Sequence, residues 1–176
     1  DIYGHTATCM TTITIEDNTK PNAKCKDHCI QLDATGHASI IVSDIENGSS
    51  DACGIKSLSL SQLNFDCNDV GSPMVTLTVS DNNDNVDTCM ATVTVKDSVK
   101  PVALCQNRTV QLDNNGIANI TASEIDNNST DACGIKSMAL DLSTFDCDEV
   151  GTHSVNLTVT DNNDNVETCM ATVTVE

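Results

Sequence analysis

The sequence predicts an all-β chain made of two tandem antiparallel β-sandwich units, residues 17–96 and 97–176, preceded by one extra N-terminal strand, residues 1–16. Three observations lead there. The stretch DNNDNVDTCMATVTV, Asp81 to Val95, returns at Asp161 to Val175 with only Asp87 becoming Glu167, and an eroded copy opens the chain at Asp1 to Ile15. Between the copies DACGIKS recurs at 51 and 131, FDC at 65 and 145, QLD at 31 and 111, and a Lys-Pro pair at 20 and 100. A period of this length, with two full copies, describes self-contained modules in tandem rather than a solenoid. Finally, short runs alternate β-branched and polar residues between Gly, Asn and Asp turns, and none has a convincing helical period.

Taken in order, residues 1–16 read as a single strand because Thr12, Thr14 and Glu16 alternate with Ile13 and Ile15. One strand is not stable alone, so its sheet must lie upstream or in another copy. The linkers Glu16 to Pro21 and Lys96 to Pro101 are short, polar and closed by proline, which limits hinge freedom. In the first unit, strand A is expected over Ala23 to Leu32. Strand B follows over Ala38 to Ile45, with Ala38, Ile40 and Val42 inward, and strand C covers Gly54 to Leu60. A short strand near Leu63 to Cys67 leads to strand F, where Val75, Leu77 and Val79 alternate with Thr76, Thr78 and Ser80. Strand G covers Val86 to Val95 after the turn at Asn82 to Asn85. About seven such strands per unit describe an immunoglobulin-like sandwich.

The composition narrows the function. Asp and Glu number 26 against 8 Lys and Arg, so nucleic acid is excluded as a partner for want of a basic patch. Tyr3, Phe65 and Phe145 are the whole aromatic complement, which makes the cores thin and aliphatic. Small modules with such cores need staples, and 10 Cys supply them and point to an extracellular or cell-surface location. No signal peptide, long apolar run or lipidation motif is seen, so the sequence reads as a mature secreted segment without membrane insertion.

The series CxxxxVQLD, DxDNxSxDxCGI and FDCxxVG, followed by VxLTVTDNNxNVxTCxATVTV, resembles hyalin-repeat and related immunoglobulin-like modules, found in tandem in large bacterial surface proteins. The resemblance covers 17–176 and implies stalks, adhesins or structural fibres, with no particular ligand. Two departures stand out. Asp84 and Asp164 occupy a turn where the family commonly has Gly, and Cys29 is replaced by Thr109 in the second repeat.

Strand directions in such a sandwich bring the BC loop, the FG turn and the incoming linker to one pole. In the first repeat this gathers Asp17, Asp44, Glu46, Asn47, Asp51, Asp81, Asn83, Asp84 and Asn85. In the second it gathers Asp97, Glu124, Asp126, Asn127, Asp131, Asp161, Asn163, Asp164 and Asn165. Converging carboxylates and amides suit calcium, which takes six to eight oxygen ligands. The plainer alternative is that Asn and Asp simply favour turns.

Cys25 with Cys89 and Cys105 with Cys169 are expected to bridge strands A and G at equal height. Elimination then pairs Cys53 with Cys67 and Cys133 with Cys147, unless strand C runs the full height of the sandwich and holds them too far apart. Cys9 and Cys29 are left over. Either strand 1–16 is donated to a neighbouring copy and a Cys9–Cys29 bond links subunits into a filament, or Cys9 has an upstream partner. His28, close to Cys25 and Cys29, has no counterpart in the second repeat, which argues against a zinc site there; His5, His37 and His153 are expected at the surface. Candidate glycosylation positions are Asn47, Asn107, Asn119, Asn127, Asn128 and Asn156, with Ser98 a possible O-linked site. No nucleophile, base and orienting acid recur together, so no enzyme is expected. The sequence therefore leads to a calcium-stabilised, disulfide-stapled extracellular filament or stalk that self-associates through its N-terminal strand. The alternative is an adhesin or carbohydrate-binding accessory module. No receptor can be read from it.

Overall fold

The structure, a computed structural model, describes residues 2–4 and 6–176; Asp1 and His5, an acid of the first repeat copy and one of the scattered histidines, lie outside the described residues. In the first repeat the chain forms β1 (His28–Gln31), β2 (His37–Ser39), a one-turn helix α1 (Val42–Ile45), β3 (Ile55–Leu60), β4 (Asn64–Asp66), β5 (Met74–Asp81) and β6 (Val86–Lys96). The second repeat forms β7 (Arg108–Val110), β8 (Ala118–Asn119), α2 (Ala122–Ile125), β9 (Ile135–Leu140), β10 (Thr144–Phe145), β11 (Gly151–Asp161) and β12 (Val166–Val175). Strands β1-β6-β5-β3 make one sheet and β2-β4 the facing pair; β7-β12-β11-β9 and β8-β10 repeat the arrangement. The chain is all-β apart from its short helical turns, with two sandwiches of immunoglobulin-like type.

Alternation on the long hairpin builds each core. Val75, Leu77 and Val79 of β5 pair along the ladder with β6, whose Ala91, Val93 and Val95 point the same way, and none is more than 1 % exposed. Phe65, Ile40, Ile45 and Leu32 close over them from the opposite side. Val155, Leu157, Val159, Ala171, Val173 and Val175 do the same in the second unit, under Phe145, Ile120 and Ile125.

The structure corrects several element boundaries. The sheets are not wholly antiparallel: β1 pairs with β6, and β7 with β12, in parallel. Both strands of each pair lead away from the N-terminal pole, so their ladder can have no other sense. Strand A is shorter than Ala23 to Leu32. Its first half, around Asn22 and Cys25, bridges instead to Ser50 and Glu46, and only His28–Gln31 joins β6. Strand B ends at Ser39. The chain then turns through α1, where Asp44 accepts the Ile41 N–H at 2.8 Å and the turn buries Ile45 completely. In α2 Glu124 accepts the Thr121 N–H at 2.9 Å, a capping pair whose Thr-x-x-Glu spacing is visible in the sequence.

Residues 6–16, read as a strand, carry no ladder, and Ile13 and Ile15 are 80 % and 92 % exposed. The places their equivalents take in the two units are already filled by β6 and β12, and alternation without a free sheet edge makes no strand. His153 is half-buried rather than fully exposed. It packs against Phe145 at 5.4 Å between ring centroids, and its Nε2 donates to the Glu149 carbonyl.

Because Leu77 is fully enclosed between the β5–β6 ladder and Phe65, Leu77→Ala leaves a cavity in a thin core. Chemical denaturation should show a loss of about 3 kcal/mol, with the secondary structure retained.

Candidate functional site

The N-terminal pole of each unit is organised by one buried carboxylate. Asp81, at the end of β5, is fully enclosed and accepts hydrogen bonds from the N–H groups of Asn83 and Asn85 and from Asn85 Nδ2, all at 2.8 Å. Burial pushes its carboxyl up, but the bonds donated by Asn85 and Asn83 outweigh that and hold its pKa below the ordinary aspartate value. These bonds shape the β5–β6 turn, in which Asp84 takes the left-handed φ of 68° that Gly would adopt without strain. Asn85 Nδ2 also donates to the Asp17 carbonyl at 3.0 Å, so the turn grips the linker. Asp161 and Asn165 reproduce the device on Asp97.

What the pole gathers is narrower than the sequence suggested. Ligand atoms of Asp17, Asp51 and Cys53 lie within 4.8 Å of one another, as do those of Asp97, Asp131 and Cys133. Asp51 and Asp131 each accept the N–H two residues on, at Cys53 and Cys133. Asn82 and Asn162 each donate to the carbonyl of that cysteine at 2.7 Å.

The remaining acids serve elsewhere. Asp44 and Glu124 cap α1 and α2, and Glu124 also pairs with Arg108. Glu46 and Asp126 bind the N–H groups of Ser49 and Ser129, level with Cys25 and Cys105 and so further down the unit than the pole. Asp84 and Asp164 form exposed ion pairs with Lys56 and Lys136. Asn83 and Asn163 contribute their N–H groups to Asp81 and Asp161, while Asn47 and Asn127 are exposed.

The two poles differ in one respect. Asp17 is held low by the Thr19 N–H and by the Cys53 thiol, which donates to it. Cys133 has no thiol hydrogen, because it is bonded to Cys67. Asp97 Oδ1 accepts the Val99 N–H at 2.9 Å, but Oδ2 is buried with no hydrogen-bond partner. A buried carboxylate oxygen left unpaired is costly, and a cation is one remedy.

The disulfides correct the pairing by elimination. Cys25 bonds to Cys89 and Cys105 to Cys169, but Cys67 bonds to Cys133, across the two repeats, with Cα atoms 5.2 Å apart. Cys53 and Cys147 are free thiols. The reason is the height of β3. Its six residues span roughly 20 Å, so Cys53 and Cys67 stand at opposite poles, far beyond disulfide reach. The junction is close-packed: a Cβ on Gly36, whose φ is 77°, would sit 2.7 Å from Cys67 Sγ and 3.3 Å from Ala132 Cβ. Cys9 and Cys29 are exposed thiols, and Cys25, beside His28, is locked in its disulfide. Asn47, Asn107, Asn119, Asn127, Asn128, Asn156 and Ser98 are all exposed, although Asn156 Nδ2 donates to Asp141.

No protein-family profile and no curated protein matches the chain. Among solved structures, protocadherin gamma B7 extracellular cadherin domains 1–4 overlay with a TM-score of 0.43 at 12 % identity, over 90 % of this chain and 51 % of that one. The chain thus spans about half the length of that structure. Human mucin-like protocadherin EC1-2 gives 0.44 at 11 %, over 89 % and 97 %. Fibronectin(III)-like modules of Clostridium thermocellum CbhA give 0.30 at 14 %, over 89 % and 91 %. TM-scores this low give no ground for carrying a ligand or partner from these proteins to this chain.

Two outcomes follow from the pole and its staples. Replacing both Cys25 and Cys89 by Ser opens a 64-residue loop, and denaturation should show a loss of about 4 kcal/mol. Asp17, Asp81 and Asp87 all have lowered pKa values, through the Thr19 N–H and Cys53 thiol, the Asn85 and Asn83 donors, and the Ala23 N–H respectively. Their contribution is complete above the unfolded aspartate pKa of about 3.9 and is lost as the pH falls through the lowered folded values. Melting temperature should therefore fall steeply below about pH 4, and more gently in Asp81→Asn.

Proposed function

We propose that the chain is part of an extracellular structural array, a filament or stalk of hyalin-repeat-like modules 17–96 and 97–176, in which disulfides staple each module and calcium locks the junction. The observation that carries this reading is the Asp97 carboxylate oxygen, buried and unpaired beside Asp131 at a covalently closed junction. Its donors are hard carboxylate oxygens with no imidazole or free thiolate, which suits calcium rather than zinc. A bound ion would satisfy that oxygen, tie the linker to the second module and hold the angle between modules. The role is mechanical, and no enzymatic activity is assigned.

Three disulfides are consistent with an oxidising, extracellular setting. Among the described residues no helix is long and apolar enough to cross a membrane. Phe65 and Phe145 are buried in the cores and Tyr3 is exposed, so the surface offers little for sugar stacking, and the adhesin reading gains nothing from it. Cys9 and Cys29, both exposed thiols, support self-association through the N-terminal segment. The exposed sequon asparagines leave room for glycan.

Calcium should raise the melting temperature, by the equivalent of about 2.7 kcal/mol at one hundred times the dissociation constant, and EDTA should reverse it. Asp97→Asn and Asp131→Asn should abolish the shift, while Asp44→Asn should keep it. An unchanged melting curve in millimolar calcium would overturn the calcium lock.

A further inference from the structure

The free thiols of Cys53 and Cys147 are not equivalent leftovers. Cys53 stands where Cys133 stands in the second repeat, and Cys147 stands where Cys67 stands in the first. Cys67 and Cys133 are bonded to each other. Cys53 and Cys147 are therefore the complementary halves of a second bond of the Cys67–Cys133 kind.

Both halves have the geometry of the bonded pair. At the outer N-terminal pole the Cys53 N–H bonds to Asp51 at 2.7 Å and its carbonyl accepts Asn82 Nδ2 at 2.7 Å, the same distances found at Cys133 with Asp131 and Asn162. At the outer C-terminal pole Cys147 opens a 3₁₀ turn, as Cys67 does, under the same side-chain cap: Asp146 accepts the Asp148 N–H as Asp66 accepts the Asn68 N–H. Cys147 Sγ lies 3.8 Å from the Gly116 carbonyl, and Cys67 Sγ lies 3.8 Å from that of Gly36. A Cβ on Gly116 would meet Cys147 Sγ at 2.6 Å, matching the 2.7 Å at Gly36. At Gly36 the next neighbours are Ala132 and Cys133 of the following module; at Gly116 that side is open. Ala52 and Cys53, the counterparts of Ala132 and Cys133, are exposed. Residues 6–16 are exposed and carry no ladder.

We propose that the Gly116/Cys147 pole of one copy docks on the Ala52/Cys53 pole of the next, as the two repeats dock on each other within the chain, and that a Cys147–Cys53 disulfide closes the joint. This deepens the array reading above and rests on its tandem-module part, but not on calcium. The partner is a second copy of this chain. In the closing step a Cys147 thiolate attacks a low-molecular-weight disulfide, releasing one small thiolate and forming a mixed disulfide. The Cys53 thiolate then displaces the second small thiolate. One small disulfide is reduced to two thiols, and two protein thiols lose two protons and two electrons to form the bond.

The test uses the full chain carrying Cys9→Ser and Cys29→Ser, so that only Cys53 and Cys147 are free. In a glutathione redox mixture this parent should form a ladder on a non-reducing gel. Adding Cys53→Ser or Cys147→Ser should leave each variant monomeric by itself, whereas an equal mixture of the two should stop at a heterodimer with a Cys147–Cys53 peptide seen by mass spectrometry. Ala52→Arg keeps both thiols and should slow linkage at least tenfold. Absence of the heterodimer, homodimers of either variant forming as readily, or full-speed linkage by Ala52→Arg would each overturn the joint. If linkage fails while calcium still stabilises the chain, the fault lies in this joint; if linkage succeeds without a calcium effect, the fault lies in the calcium lock.

Discussion

The structure hangs on a buried carboxylate at the end of β5 and β11. Asp81 and Asp161 sit in cores with almost no aromatic mass, where an unpaired charge would be ruinous. Each is satisfied by the turn that follows it, and that satisfaction orders the turn. The ordered turn lends Asn85 and Asn165 to the linkers, and the linkers bring Asp17 and Asp97 up to Asp51 and Asp131. Core, turn, linker and candidate cation site thus form one chain of dependence that begins with a polar group where an apolar one would have packed more easily.

Covalent bonds complete what the small cores leave weak. Cys25–Cys89 and Cys105–Cys169 tie the segment before the first strand of each unit to its last strand, closing loops of similar length in both. Cys67–Cys133 is of another kind: it fixes one module against the next and, by consuming the Cys133 thiol, removes the donor that Asp17 receives from Cys53. Asp97 Oδ2 lies buried without a hydrogen-bond partner at that same junction.

A mechanical reading agrees with these features better than a recognition reading. The surface is strongly acidic, two of the three aromatic rings are enclosed, and the most highly organised polar groups lie at the pole where each linker enters its unit. Proline-closed linkers, a bond across the repeats and hydrogen bonds from turn to linker all restrain the junction.

The sequence alone determined the sandwich class, the strands of the long hairpin and the inward rows Val75-Leu77-Val79 and Val155-Leu157-Val159, because a period of two states directly which side chains share a face. The Cys25–Cys89 pairing also follows from strand order, since the chain entering the first strand runs beside the last. The sequence could not say which acids meet. Asp44, Glu46, Glu124 and Asp126 share their loops with Asp51 and Asp131, yet one helical turn carries them away from the pole to cap N–H groups, and loop composition carries no record of height. Only the tertiary structure decided the partner of Cys67. A disulfide is set by distance in space, and the repeat pattern, identical in both units, is silent on whether a half-bond is answered within its own module or by the next.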